Sequence, residues 1–198
     1  MKSKKNISEK TLATYSHRNS LLHNNRTYKI RNDKLVWQDD DIPEVSLEYS
    51  NIKTVEAQFA PTRVQSNRYL LRLTTKSKGK VDITNTTYKG IGHFEELNQT
   101  YVPFVRELNR RIAEKNPKIQ FKKGSSWAGY VFSIFIGILL FVVIIAAFLF
   151  FLNAGVLWLA AIKLIILIFF FPRLLRYIKR NKPASYDPLN LPANILPN

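Results

Sequence analysis

Apolar residues recur along this chain first at every second position, then at helical spacing, and finally without interruption. The two-residue period begins at Thr27. In TYKIRNDKLVWQDDD two strand-like pieces flank the turn pair Asn32-Asp33, with Ile30, Leu35 and Trp37 as the expected buried positions. NIKTVEAQFA sets Val55, Ala57 and Phe59 against Thr54, Glu56 and Gln58, and NRYLLRLTT puts Tyr69, Leu71 and Leu73 on one face. GKVDITN follows Lys78-Gly79 and keeps Val81 and Ile83 in register. Alternation at this spacing predicts half-buried antiparallel strands in a meander.

HFEELNQTYVPFVRELNRRIAEKNP changes to helical spacing, with Phe94, Leu97, Tyr101, Phe104, Val105, Leu108 and Ile112 on one stripe. Gly90 and Gly92 precede the predicted helix, Glu95-Glu96 near its start complement its dipole, and Asn116-Pro117 ends it. Pro103 removes one amide donor from the stripe, which predicts either a kink or a helix that is firm only from Tyr101. Short strands finished by one amphipathic helix predict an α+β domain, its core made of the alternating strand residues closed by the stripe.

The third pattern belongs to a membrane. WAGYVFSIFIGILLFVVIIAAFLFFL, residues 127–152, carries no charge and is long enough to cross a hydrocarbon core of about 30 Å. Asn153-Ala154-Gly155 predicts a turn, and a second span occupies 156–175. The apolar run 156–171 rises only about 24 Å at 1.5 Å per residue, so the second helix must borrow from PRLLRYI or sit in a thinned bilayer. Lys118, Lys122 and Lys123 flank the first span, and Arg173, Arg176, Lys179, Arg180 and Lys182 follow the second. The positive-inside rule then places both ends in the cytoplasm and makes 127–180 a transmembrane hairpin.

Lys163 interrupts this picture. Counted from Asn153 and from Pro172 it lies about 14 to 15 Å from either end of its span, level with Ile145 and Ala146 of the first, neither of which accepts a hydrogen bond. Such a lysine costs about 2.5 to 3.5 kcal/mol unless it snorkels, deprotonates or finds a partner. Snorkelling and an acidic or carbonyl partner on another subunit or a second copy of this chain both remain open. Gly129, Ser133 and Gly137 form a small-residue face on the first span, able to pack against the second span or another protein.

Strand order and particular segments carry a resemblance. IPEVSLEYSNIKTVEAQFAPTR followed by NRYLLRL, and NTTYKGIGHFEEL continued by YVPFVREL, resemble the pleckstrin-homology-like (PH-like) domains of small membrane-anchored bacterial proteins over 27–117. The tail NKPASYDPLNLPANILP is similar to the Pro-rich ends of some of these chains. The resemblance implies an antiparallel sheet or barrel closed by one helix, a bacterial inner-membrane location, and a platform that binds lipids or proteins. Relatives that bind phosphoinositides use a basic cluster in the first hairpin. This chain has Asn32-Asp33 there, followed by the acidic run Asp39 to Asp41.

Charge and composition narrow the function. The 198 residues carry a formal net charge of +16, which calls for an anionic partner. Ten basic residues lie between Glu114 and Asp187 without any acidic residue among them, nine of them juxtamembrane, where each contributes roughly 1 kcal/mol at an anionic surface. That distribution favours anionic lipid over nucleic acid, for which the domain has no recognition motif. Residues 1–26 are basic and lack the apolar run of a secretory signal, so they are expected to be a disordered cytoplasmic arm. Residues 118–126 are a basic linker, and 181–198, with four prolines, an extended cytoplasmic tail that is either a linker or a docking peptide.

Candidate chemistry is sparse. There is no cysteine, His17, His23 and His93 are scattered and expected on the surface, and no nucleophile and base arrangement stands out, so no cofactor, metal or catalytic residue is expected. Arg63 and Arg68 in APTRVQSNR sit between two strands, either solvated or paired, or in contact with phosphate or a partner's carboxylate. The expected contact set is Arg63, Arg68, Lys122, Lys123, Lys163, Arg173, Arg176, Lys179 and Arg180. The expected function is a non-enzymatic accessory or scaffolding protein of an inner-membrane complex, partnered by anionic lipids and by a membrane protein or a second copy. The alternative is an anionic-lipid-binding or lipid-handling protein.

Overall fold

A computed structural model describes residues 10–40 and 43–197. The first nine residues of the expected arm, Asp41 of the acidic run and Asn198 of the tail lie outside the described residues. The chain divides into two compact units, 1–122 with 185–198, and 123–184.

The first unit is α+β, with antiparallel sheets. Strands β1 (Ala13–His17), β2 (Arg26–Ile30), β3 (Lys34–Asp39) and β4 (Val45–Glu48) form a four-stranded meander in that order. Strands β5 (Ile52–Phe59), β6 (Tyr69–Thr75) and β7 (Lys80–Thr84) form a second meander. It is extended beyond β5 by β10 (Gln120–Lys123) and β11 (Ala184–Ser185). A hairpin of β8 (Thr86–Gly90) and β9 (His93–Glu96) leads into helix α1 (Asn98–Lys115). These are separate sheets, and no closed barrel forms among the described residues.

The alternation does the work expected of it. Val55, Ala57, Phe59, Tyr69, Leu71, Leu73, Val81 and Ile83 are all buried, as are Tyr101, Phe104, Val105, Leu108 and Ile112 of α1. Each fully buried large side chain contributes about 1.5–3 kcal/mol relative to exposure. Tyrosine hydroxyls in this core find backbone partners across sheets. Tyr15 on β1 donates to Thr84 O of β7 at 2.5 Å, and Tyr28 on β2 donates to Asp82 O of β7 at 3.2 Å. Burial pushes the Tyr28 phenol up to about 12 and raises Tyr15 further, so both stay neutral donors.

Several expectations need correction. The arm contains β1, paired with β2 from Ala13 opposite Ile30 to His17 opposite Arg26, with Tyr15 and His17 buried. Its basic surroundings mask a short alternation of Tyr15 and His17 against Thr14 and Ser16. The stripe through Phe94 and Leu97 is not helical, because residues 93–96 are β9 and α1 begins at Asn98. Gly92 adopts φ 71°, a left-handed conformation that glycine tolerates, and turns the β8–β9 hairpin instead of starting a helix. Glu95 accordingly pairs with Lys89 across that hairpin at 3.0 Å and not with a helix dipole. On β3, Val36 is buried and Trp37 only half-buried. Pro103 lies inside an α1 that continues unbroken from Asn98 to Lys115, losing one donor in its second turn.

The tail is more than an extended linker. Tyr186 N–H donates to Phe121 O at 3.1 Å, and the two rings meet edge to face at 5.6 Å. Ile195 and Leu196, in and beside a short 3-10 turn at Ala193–Ile195, are 1% and 5% exposed. The expected basic linker likewise contains β10. The first unit is therefore completed by chain from both sides of the two long helices.

The second unit is a helical pair, α2 (Trp127–Asn153) and α3 (Leu157–Arg180). Both are long and apolar enough to cross a membrane, and their large apolar side chains are mostly exposed. Ser126 caps α2, its Oγ accepting from Gly129 N at 3.2 Å. Helix α3 runs on through Pro172 and PRLLRYI to Arg180. Gly124 takes φ 75° beside Asn181, where an added Cβ would lie 2.4 Å from Asn181 O.

Candidate functional site

Two places gather the residues of interest, one in each unit. In the first unit, β5 and β6 are joined by the loop 60–68, stabilised by Ala60 N–H to Arg68 O at 2.9 Å and Thr62 N–H to Gln65 O at 3.0 Å. This loop borders a pocket of about 260 Å3 whose other walls are Asn19, Asp82, Thr84 and Thr86. Arg63 is exposed and does not line the pocket. Arg68 does line it, half-buried, with one long hydrogen bond from Nη1 to Ala60 O at 3.5 Å. Burial depresses the basicity of its guanidinium, with the charge of Arg72 adding to that effect and Asp82 opposing it. Asp82 is otherwise engaged, both of its oxygens accepting from Arg72 at 2.7 Å. Among the described residues, Arg68 thus has no carboxylate of its own.

Thr84 connects this pocket to a residue the sequence reading misplaced. His17, expected on the surface, is 1% exposed, and its Nε2 accepts the Thr84 amide at 3.3 Å. Its Nδ1 has no hydrogen-bond partner among the described residues, and its ring packs 5.6 Å from Tyr15 and 5.5 Å from Tyr28. Burial, reinforced by Arg26 and Arg68, lowers its pKa to about 4. His23 instead shares a hydrogen bond with Ser20 at 2.7 Å, and His93 is exposed at the start of β9. No group of three metal-ligating side chains gathers among the described residues.

In the second unit the small-residue face divides into three different roles. Gly129 receives the helix cap, Ser133 Oγ donates back to Gly129 O at 2.8 Å, and Gly137 lies against the facing helix. A Cβ at Gly137 would sit 2.9 Å from Leu174 Cδ2, and Phe141 meets Phe171 with ring centroids 5.2 Å apart. That antiparallel register carries Lys163 to the level of about Phe148, three residues from where equal-length spans would place it. Phe148 offers no acceptor either. Lys163 has no hydrogen bond or ion pair among the described residues and is half-buried on α3. It is central in the apolar run 156–171 but lies about 8 Å from the middle of the full helix, toward the turn.

Lys122 is exposed on β10 and Lys123 half-buried at its end. Arg173 Nη1 donates to Phe169 O at 3.4 Å, in the turn whose hydrogen bonding Pro172 weakens. Arg176 and Lys179 are exposed and Arg180 half-buried along the last turns of α3. Gln65, Thr62 and Asn19, which complete the Arg68 pocket, were not singled out in sequence, since the meeting of two loops leaves no spacing signal.

No family model and no curated protein sequence matches the chain. Among solved structures it is similar to the Spt16D Pob3N heterodimer, at 12% identity and a TM-score of 0.38, over 60% of this chain. The chain spans 58% of the length of that protein, and a likeness at this level carries no argument about fold or function.

Proposed function

We propose that this is a non-enzymatic accessory or scaffolding protein of a bacterial inner-membrane complex. In this reading a PH-like cytoplasmic domain is held at the membrane by a helical hairpin, and a membrane-protein partner is bound through that hairpin. The observation that carries it is Lys163, an ammonium in the apolar run 156–171, with no partner among the described residues. The hairpin topology is supported by the make-up of the first unit. Residues on both sides of α2 and α3 build one body, so two crossings that return the chain to the same side satisfy the connectivity. The PH-like reading is supported by the order of the elements: a four-stranded meander, a three-stranded meander and a closing helix.

Anionic lipid is the second partner in this reading. Arg173, Arg176, Lys179 and Arg180 on α3, with Lys122 and Lys123 before α2, supply a basic rim. If headgroup binding were the whole function, position 163 would meet only acyl chains. A photo-crosslinking amino acid at position 163, activated in native membranes, tests the reading. A discrete protein adduct supports a subunit partner, and lipid adducts alone refute it in favour of the lipid-binding alternative.

A further inference from the structure

The wall of the Arg68 pocket is unbalanced between donors and acceptors. Thr84 Oγ1 donates to Thr86 O at 3.1 Å, and Thr86 Oγ1 donates to Gln65 Oε1 at 2.7 Å. Both hydroxyl protons are thereby used, and the Gln65 amide is held by its oxygen, leaving its NH2 group as a donor. Thr62 Oγ1 accepts from Gln65 N–H at 3.1 Å and keeps its own proton to donate. Arg68 has further N–H groups beyond the long bond to Ala60, and the Asn19 carboxamide stands on the opposite loop. The carboxylate on the wall, Asp82, is neutralised by its two-pronged pairing with Arg72. What remains is one positive charge surrounded by neutral donors.

We propose that this pocket binds a phosphate group, with Arg68 supplying the charge and Gln65, Thr62 and Asn19 the hydrogen bonds. A planar carboxylate is satisfied by a single guanidinium fork. Donors drawn from two loops suit the larger set of acceptor lone pairs on a tetrahedral oxyanion. The volume of about 260 Å3 lies just below the range of roughly 300–1,000 Å3 typical for drug-sized ligands. It suits a phosphorylated headgroup or a small soluble phosphoester. The site takes Asn19 from the β1–β2 loop and the rest of its donors from the β5–β6 loop, and does not include the Asn32-Asp33 turn between β2 and β3. It stands independently of Lys163 and its partner.

The test uses the full chain in phosphatidylcholine nanodiscs, titrated with glycerol 3-phosphate by calorimetry. Saturable binding is expected, weakened at least about tenfold by Arg68→Gln through loss of a charge-assisted bond. Asn19→Asp, at an exposed position, weakens it through repulsion without touching the core. Arg63→Gln leaves it unchanged, because that side chain lies outside the pocket. In nanodiscs that also contain phosphatidic acid, loss of the heat identifies the lipid headgroup as the natural source, and undiminished heat identifies a soluble phosphoester. Absence of saturable binding in phosphatidylcholine discs overturns the proposal. So does wild-type affinity in Asn19→Asp, or equal weakening by Arg63→Gln, which reduces the effect to general surface charge.

Discussion

The Tyr186 hydroxyl donates to Asn109 Oδ1 at 3.0 Å, joining two buried residues 77 positions apart. The bond fastens the C-terminal tail to helix α1, whose Asn109 also donates from Nδ2 to Val105 O at 3.0 Å. Tyr186→Phe strands the Asn109 oxygen in a buried site and is expected to cost about 1–3 kcal/mol. Chain ending at Lys182 also loses Ile195 and Leu196 from the core and is expected to melt lower still. Thermal unfolding of the detergent-solubilised protein checks both, and unchanged melting after truncation would show that the tail is only a linker.

His17 predicts a pH dependence. Its folded pKa of about 4 lies below the ordinary histidine value of 6.5, so above pH 6.5 both folded and unfolded chains hold it neutral. Between 6.5 and about 4 the unfolded chain takes up the proton and the folded chain does not. Stability therefore falls as pH drops through this window, by on the order of 3 kcal/mol from this residue. Denaturant midpoints measured from pH 7 to pH 4.5 should decline in the wild type and decline less in His17→Gln. Equal slopes would mean that the imidazole is solvated.

The close approach of Gly137 to Leu174 makes helix pairing sensitive to one side chain. Gly137→Leu is expected to separate α2 from α3, which the 2.9 Å spacing at a bare Cβ already makes tight. Since the chain has no cysteine, Phe141→Cys with Phe171→Cys gives a clean reporter. Cross-linking with a short bifunctional maleimide should be efficient in that background and fall sharply when Gly137→Leu is added.

Gly124 gives a sharper test of backbone geometry. With φ at 75° and Asn181 O 2.4 Å from the position of an added Cβ, Gly124→Ala meets both conformational strain and a carbonyl that cannot swing aside. A loss of about 1–3 kcal/mol is expected. Wild-type thermal stability in Gly124→Ala would contradict the described turn.

What could be read from the sequence was whatever repeats along it. Strands β5 to β7 and the α1 stripe from Tyr101 to Ile112 announce themselves by period, and α2 by length without charge. Strand β1 is too short and too surrounded by Lys and Arg for its alternation to stand out. Phe94 fell by chance on the helical stripe of α1, although the Gly90–Gly92 turn folds it into a hairpin. The Arg68 pocket depends on Asn19 meeting a loop more than 40 residues away, which no local pattern encodes. Tail docking was visible only as an alternative, because prolines at that spacing describe a linker and a docked peptide equally well.

The central claim is that α2 and α3 cross the membrane as a hairpin and return the tail to the domain. Single cysteines at Ser66, Ala154 and Leu189, each exposed and each introduced into a cysteine-free chain, report sidedness to an impermeant maleimide in intact cells. The account predicts that Ala154→Cys labels from outside while Ser66→Cys and Leu189→Cys label only after permeabilisation. Labelling of all three from one side, or of Ser66→Cys and Leu189→Cys from opposite sides, would contradict it.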